Sequence, residues 1–72
     1  MIPAEKIRLT ILKGGEVLYE KEDLFDIWTF SKDGGPAVSI RDVHEDKVIF
    51  EELPIESMSM SAPLVCIQTE GV

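Results

Sequence analysis

A single cysteine, Cys66, and a single histidine, His44, are all the soft-ligand chemistry this 72-residue chain contains. One cysteine excludes an internal disulfide, and with it the stapled secreted scaffolds that small domains often adopt. Long apolar runs, a signal-peptide pattern and lipidation motifs are missing, so a soluble cytoplasmic protein with no membrane partner is expected. No Walker-type loop, GxGxxG fingerprint, HExxH or paired CxxC occurs. Basic residues are scarce as well: seven against fourteen acidic ones give a net charge of −7. After Lys47 there is none, while Glu51, Glu52, Glu56 and Glu70 follow. An acidic field repels phosphate backbones and attracts basic surfaces, so weak or no binding to duplex DNA and RNA is expected at physiological salt.

What is present reads as strands. Residues 1–72 are expected to form one small β domain, ordered over about 5–69. A chain this short buries only about 60–65% of its unfolded surface, and subunit contacts are one common way of making up the deficit. The organising stretch is VSIRDVHEDKVIFEEL, residues 38–53, in which Val38 and Ile40 alternate with Ser39 and Arg41. A three-residue loop, His44-Glu45-Asp46, would pair Val43 with Lys47 and set Ile40 opposite Phe50, with Arg41 beside Ile49 on the outer face. KIRLTIL (6–12) alternates equally cleanly before Gly14-Gly15. A loop Lys13-Gly14-Gly15 would face Ile11 with Val17, Leu9 with Tyr19 and Arg8 with Glu20, giving a hairpin over 6–21.

The remaining segments are connectors and short strands. EDLFDIWTF (22–30) is read as a bend or single turn at 22–26 followed by a strand at 26–30, and SKDGGPA (31–37) as a loop. Pro54 lacks an amide donor, so LPIES (53–57) is read as a one-turn break. A soft Met/Ser strand and the apolar strand LVCIQ (64–68) complete the chain. The expected class is all-β, a small antiparallel meander or an SH3-like or OB-like partly open barrel of five to six short strands. Its core is Ile7, Leu9, Ile11, Val17, Tyr19, Val38, Ile40, Val48 and Phe50. The order of strand, Gly turn, strands and a one-turn break before a last strand resembles the layout of SH3-like and Sm-like barrels. That resemblance rests on spacing. Sm-like proteins bind RNA through basic or polar loops, and the acidic balance here runs against that function.

Chemistry has little to stand on. His44, in DVHEDK, has carboxylates nearby but no second nitrogen or sulfur ligand, and reads as a polar loop residue. EF-hand spacing is absent, since DVHEDKVIFEE lacks the turning glycine. Cys66 has no cationic neighbour in LVCIQ to stabilise a thiolate, so it reads as a small hydrophobe. No catalytic residue, metal ligand or cofactor is expected. Association is. Leu12, Leu18, Val43 and Ile49 fall opposite the core in these registers, and the strand bearing Trp28 and Phe30 has large apolar groups on both faces. Those six residues are the candidate partner-binding set. LVCIQ is read as a strand edge safer when paired with another chain. The expected function is a non-catalytic interaction module or assembly or regulatory subunit, with a protein partner or itself, as a homo-oligomer. The alternatives are an acidic mimic of nucleic acid that inhibits a basic protein and, behind it, an SH3/Sm-like nucleic-acid-binding domain.

Overall fold

Six strands and no helix make up residues 5–69, the part of the chain that the computed structural model describes. They are β1 (Ile7–Lys13), β2 (Glu16–Asp23), β3 (Phe25–Lys32), β4 (Gly35–Asp42), β5 (Lys47–Ser61) and β6 (Leu64–Thr69). Their spatial order is β2-β1-β6-β5-β4-β3, an open sheet with β2 and β3 at its ends. All pairs are antiparallel except β1 with β6, which run parallel from Arg8 opposite Leu64 to Lys13 opposite Thr69. The all-β, partly open architecture is thus the expected one, but the sheet is mixed. LVCIQ is not an edge: β6 lies between β1 and β5, with Val65 and Ile67 buried while Leu64 is exposed and Cys66 and Gln68 are half-buried.

Turn chemistry is tighter than expected at both Gly-Gly sites. Gly14 and Gly15 have φ of 59° and 84° and form a two-residue turn that closes Lys13 against Glu16. Two left-handed residues in a row give the turn whose twist matches a hairpin, and glycine enters that region without steric cost. The shorter turn sets Leu12, not Ile11, opposite Val17. A bulge at Leu18 then brings Tyr19 opposite Ile11, so Val17 leaves the expected core and stands 60% exposed. Asp33 and Gly34 likewise form a two-residue left-handed turn, so 31–37 is not a loop: β3 runs to Lys32 and β4 starts at Gly35. No helical turn forms at 22–26, because β2 continues to Asp23 and β3 begins at Phe25.

The central hairpin keeps its key contact by an unexpected route. Asp42, not Val43, closes the loop against Lys47, so the loop has four residues, 43–46. Asp42 Oδ1 accepts the Glu45 N–H at 3.1 Å, the local bond by which Asp commonly initiates turns. A register shift at Ile49 then restores Ile40 opposite Phe50. Arg41 lies opposite Val48 instead of beside Ile49. Val48 therefore turns outward and is 45% exposed, a second residue lost from the expected core.

β5 is one strand of 15 residues, with no connector at Pro54. Its first part pairs with β4 as far as Ala37 opposite Pro54; its second pairs with β6 from Ile55 opposite Thr69. Pro54 sits where the strand changes partner, a place where a missing donor costs little. Just before it, Glu52 takes the left-handed φ of 53° and donates its N–H to Ser39 Oγ at 3.0 Å. This corner folds the sheet over, and both halves bury the cluster Leu9, Ile11, Val38, Ile40, Ile55, Val65 and Ile67. Ile7, Tyr19, Phe25, Ile27, Phe50 and Met58 pack around it, Tyr19 meeting Phe50 edge to face at 5.5 Å.

Candidate functional site

Strand alternation places Asp26, Trp28, Phe30 and Lys32 of β3 on the face away from the core. Cross-strand pairing sets Trp28 beside Ser39 and Phe30 beside Ala37 on β4, and Arg41 beside Val48 on β5. Trp28, Phe30 and Val48 form the apolar wall of an open groove of about 420 Å³, with Ser39 in its floor and Glu51 and Glu52 along its rim. Trp28 is 46% exposed there. Ion pairs stand at the two ends of the groove. Arg41 bridges Asp26 at 2.7 Å and also Asp46; Lys32 bridges Glu52 at 2.8 Å. A smaller cleft of about 300 Å³ lies behind Lys32, between Pro36, Ala37 and Pro54.

Of the six residues singled out from the sequence, the structure brings Trp28 and Phe30 together in this groove. Leu12 and Leu18 lie on the other half of the sheet, Leu18 exposed beside Val17. Val43 is half-buried in the β4–β5 loop, where its N–H donates to the Leu24 carbonyl at 3.0 Å. Ile49 does not face outward: the register shift turns it against the core, where it is half-buried. Sequence reasoning missed Val48, Glu51 and Glu52. Simple alternation put Val48 inside, and only the shift at Ile49 puts it out.

A second cluster joins the ends of β2 and β4. Asp42 is completely buried, and Lys21 Nζ donates to its Oδ2 at 2.9 Å. Lys21 also reaches Asp23 at 3.3 Å and Glu45 at 3.6 Å. The Lys21 ammonium holds the Asp42 carboxyl below the usual carboxylate range. The Leu24 N–H, donated to Oδ1 at 2.8 Å, does the same for Asp23, with Lys21 adding to it. Lys21 is raised in turn by its hydrogen bond to Asp42. His44 is exposed at the margin, Nδ1 3.8 Å from Asp23 Oδ2. Every acid here is matched to one cation or to backbone donors, so the cluster ties strands together. Among the described residues no group of three or more His, Cys, Asp and Glu is arranged to hold a metal ion. Cys66 is half-buried in β6.

The cluster predicts a pH dependence. Asp23 and Asp42 have folded pKa values below their unfolded ones, so their contribution is complete above about pH 4 and is lost as pH falls through the folded values. Lys21 is raised, so its contribution is complete below about pH 10 and is lost as pH climbs through its folded value. Thermal melts from pH 2 to 11 are expected to show a plateau between these limits. Asp42→Asn flattens the acid side; an acid limb unchanged in that variant contradicts the assignment.

Compared with family models, with curated proteins and with solved structures, the chain shows no significant match.

Proposed function

We propose that this chain is a non-catalytic association module whose docking face is the outer side of β3, β4 and β5. The observation that carries this reading is Trp28, 46% exposed beside the 45% exposed Val48 in one groove. Tryptophan is the side chain most often found to anchor protein interfaces, where a large apolar surface is covered and a polar rim excludes water. The rim here is acidic, through Glu51 and Glu52, on a chain of net charge −7. The partner that fits is a protein surface with an apolar centre and basic flanks. The alternative of an acidic nucleic-acid mimic draws on net charge alone. Asp26, Asp46 and Glu52 are partly neutralised by Arg41 and Lys32, which favours the apolar groove as the recognition element.

The test is competition between faces. Val48→Lys places a cation in the groove, and Leu18→Lys places one on the opposite half of the sheet. Proteins retained from host lysate by the wild type are identified, and their affinities for each variant are measured with the purified partner. Val48→Lys is expected to weaken binding at least about tenfold, and Leu18→Lys to leave it unchanged. Equal affinities for both variants and the wild type remove the support for this face.

A further inference from the structure

We propose that two copies of the chain join edge to edge through β3, antiparallel, with the twofold axis at Thr29. This goes beyond the groove, because it concerns the backbone edge of the sheet and names its occupant as a second copy of this chain.

Among the described residues, the strands at the two ends of the sheet, β2 and β3, are not equivalent as edges. β2 carries the bulge at Leu18 and charged residues at Glu16, Glu20, Lys21, Glu22 and Asp23. Bulges and charges are how proteins blunt an edge against further pairing. β3 has neither device along its centre. Its pairing with β4 is regular from Phe25 to Lys32, it contains no proline, and its only charges are Asp26 and Lys32. A regular, apolar edge of this kind is a template for another strand.

The hydrogen-bond phase says which residues would meet that strand. The Leu24 carbonyl accepts the Val43 N–H, and unshifted pairing follows it along β3. In an antiparallel pair the backbone groups of alternate residues point to the same side. Residues 26, 28, 30 and 32 therefore bond to β4, while Phe25, Ile27, Thr29 and Ser31 point their N–H and C=O groups at the free edge.

With the axis at Thr29 the strand is complementary to itself. Thr29 meets Thr29 and Ile27 meets Ser31 in hydrogen-bonded pairs. In the intervening pairs, where side chains approach more closely, Trp28 faces Phe30 and Asp26 faces Lys32, each twice by symmetry. The Arg41–Asp26 ion pair of one copy then abuts the Lys32–Glu52 pair of the other, so charges alternate along the seam. Moving the axis by one residue breaks this match. An axis at Trp28 sets Asp26 against Phe30, and one at Phe30 sets Lys32 against Trp28. Only the Thr29 axis pairs both the charges and the aromatics. It also brings the two grooves together on one continuous face.

Sedimentation equilibrium of the full chain tests this, with far-UV circular dichroism confirming that each variant is folded. The wild type is expected to dimerise. Thr29→Pro removes an N–H that faces the free edge and leaves the β3–β4 ladder intact, so it is expected to be folded and at least tenfold weaker in self-association. The register is tested by charge. Asp26→Lys and Lys32→Asp each set like charges across the seam and are expected to be monomeric alone, whereas their equimolar mixture restores both cross-strand pairs and dimerises. Val48→Lys, in the groove and off the edge, is expected to remain dimeric. A wild type that stays monomeric at millimolar concentration, or a folded Thr29→Pro that dimerises as the wild type does, overturns the proposal. Single-charge variants that dimerise as tightly as their mixture overturn the register. A monomeric wild type whose partner binding is still lost in Val48→Lys overturns the dimer and leaves the groove as the docking face.

Discussion

Ile67→Ala is expected to lower the free energy of unfolding by about 2–5 kcal/mol, out of a total on the order of 4–11 kcal/mol for a chain of this length. Ile67 is fully buried on β6, paired with Ile11 of β1 on one side and Met58 of β5 on the other. A cavity there loosens both halves of the folded-over sheet, since β6 is the strand that β1 and β5 share. Few neighbours can collapse into the space, because Ile11 is held by ladders to both β2 and β6 and Met58 by the β5–β6 ladder. Urea denaturation measures the loss, and Val48→Ala provides the contrast. Plain alternation would place Val48 in the core, but the observed register leaves it 45% exposed, so its truncation is expected to stay within about 0.5 kcal/mol of wild type. If the two variants lose comparable stability, the bulge at Ile49 and the central place of β6 are both wrong.

Lys21→Met is expected to lower the melting temperature at pH 7 by on the order of 10 °C or more, because it strands a fully buried carboxylate without its cation. Removing one partner of a buried pair is far more damaging than exchanging both for neutral groups, since the remaining charge keeps its desolvation cost. Two further outcomes separate this cause from lost packing. First, the Lys21 ammonium is the leading cause that lowers the Asp42 pKa, so the deficit is largest where Asp42 is ionised and shrinks as the solution is acidified into the carboxylate range. Second, Lys21→Met combined with Asp42→Asn recovers much of the loss, because the amide needs no counter-ion and its oxygen still accepts the Glu45 N–H. A double variant no more stable than Lys21→Met alone would show that the ammonium acts through its own packing and not through Asp42.

The groove was half legible in the chain. Trp28 and Phe30 share a face by strand alternation, and their size alone argued that one side of β3 would lack cover. Val48 and Ile49 were assigned to opposite faces from those they occupy, because a single bulged residue inverts everything on one side of it until the next shift. That bulge follows the four-residue loop that Asp42 closes against Lys47. The Asp42 side chain takes both the Lys21 ammonium and the Glu45 amide, which fixes where the loop begins and lengthens it by one residue. Lys21 lies far from Asp42 in the chain, so no local pattern announces the pairing.

Local chemistry determined a good deal. The clean alternation of Ile7, Leu9 and Ile11, the glycine pairs at the turns and the β-branched runs at 38–50 specify an all-β chain, two of its hairpins and most of its core. Those are properties of neighbouring residues: period-2 burial, and left-handed turn positions open to glycine at no cost. Three things were decided only by the tertiary structure. β6 inserts between β1 and β5, running parallel to β1, a placement that turns Val65 and Ile67 into the core and that no local pattern of the chain specifies. Pro54 remains within a strand, because the folded-over sheet changes that strand's partner there. And the phase of the β1–β2 and β4–β5 hairpins beyond their turns was set by bulges that no local pattern announces, which is why Val17 and Val48 face water while Ile49 leans on the core.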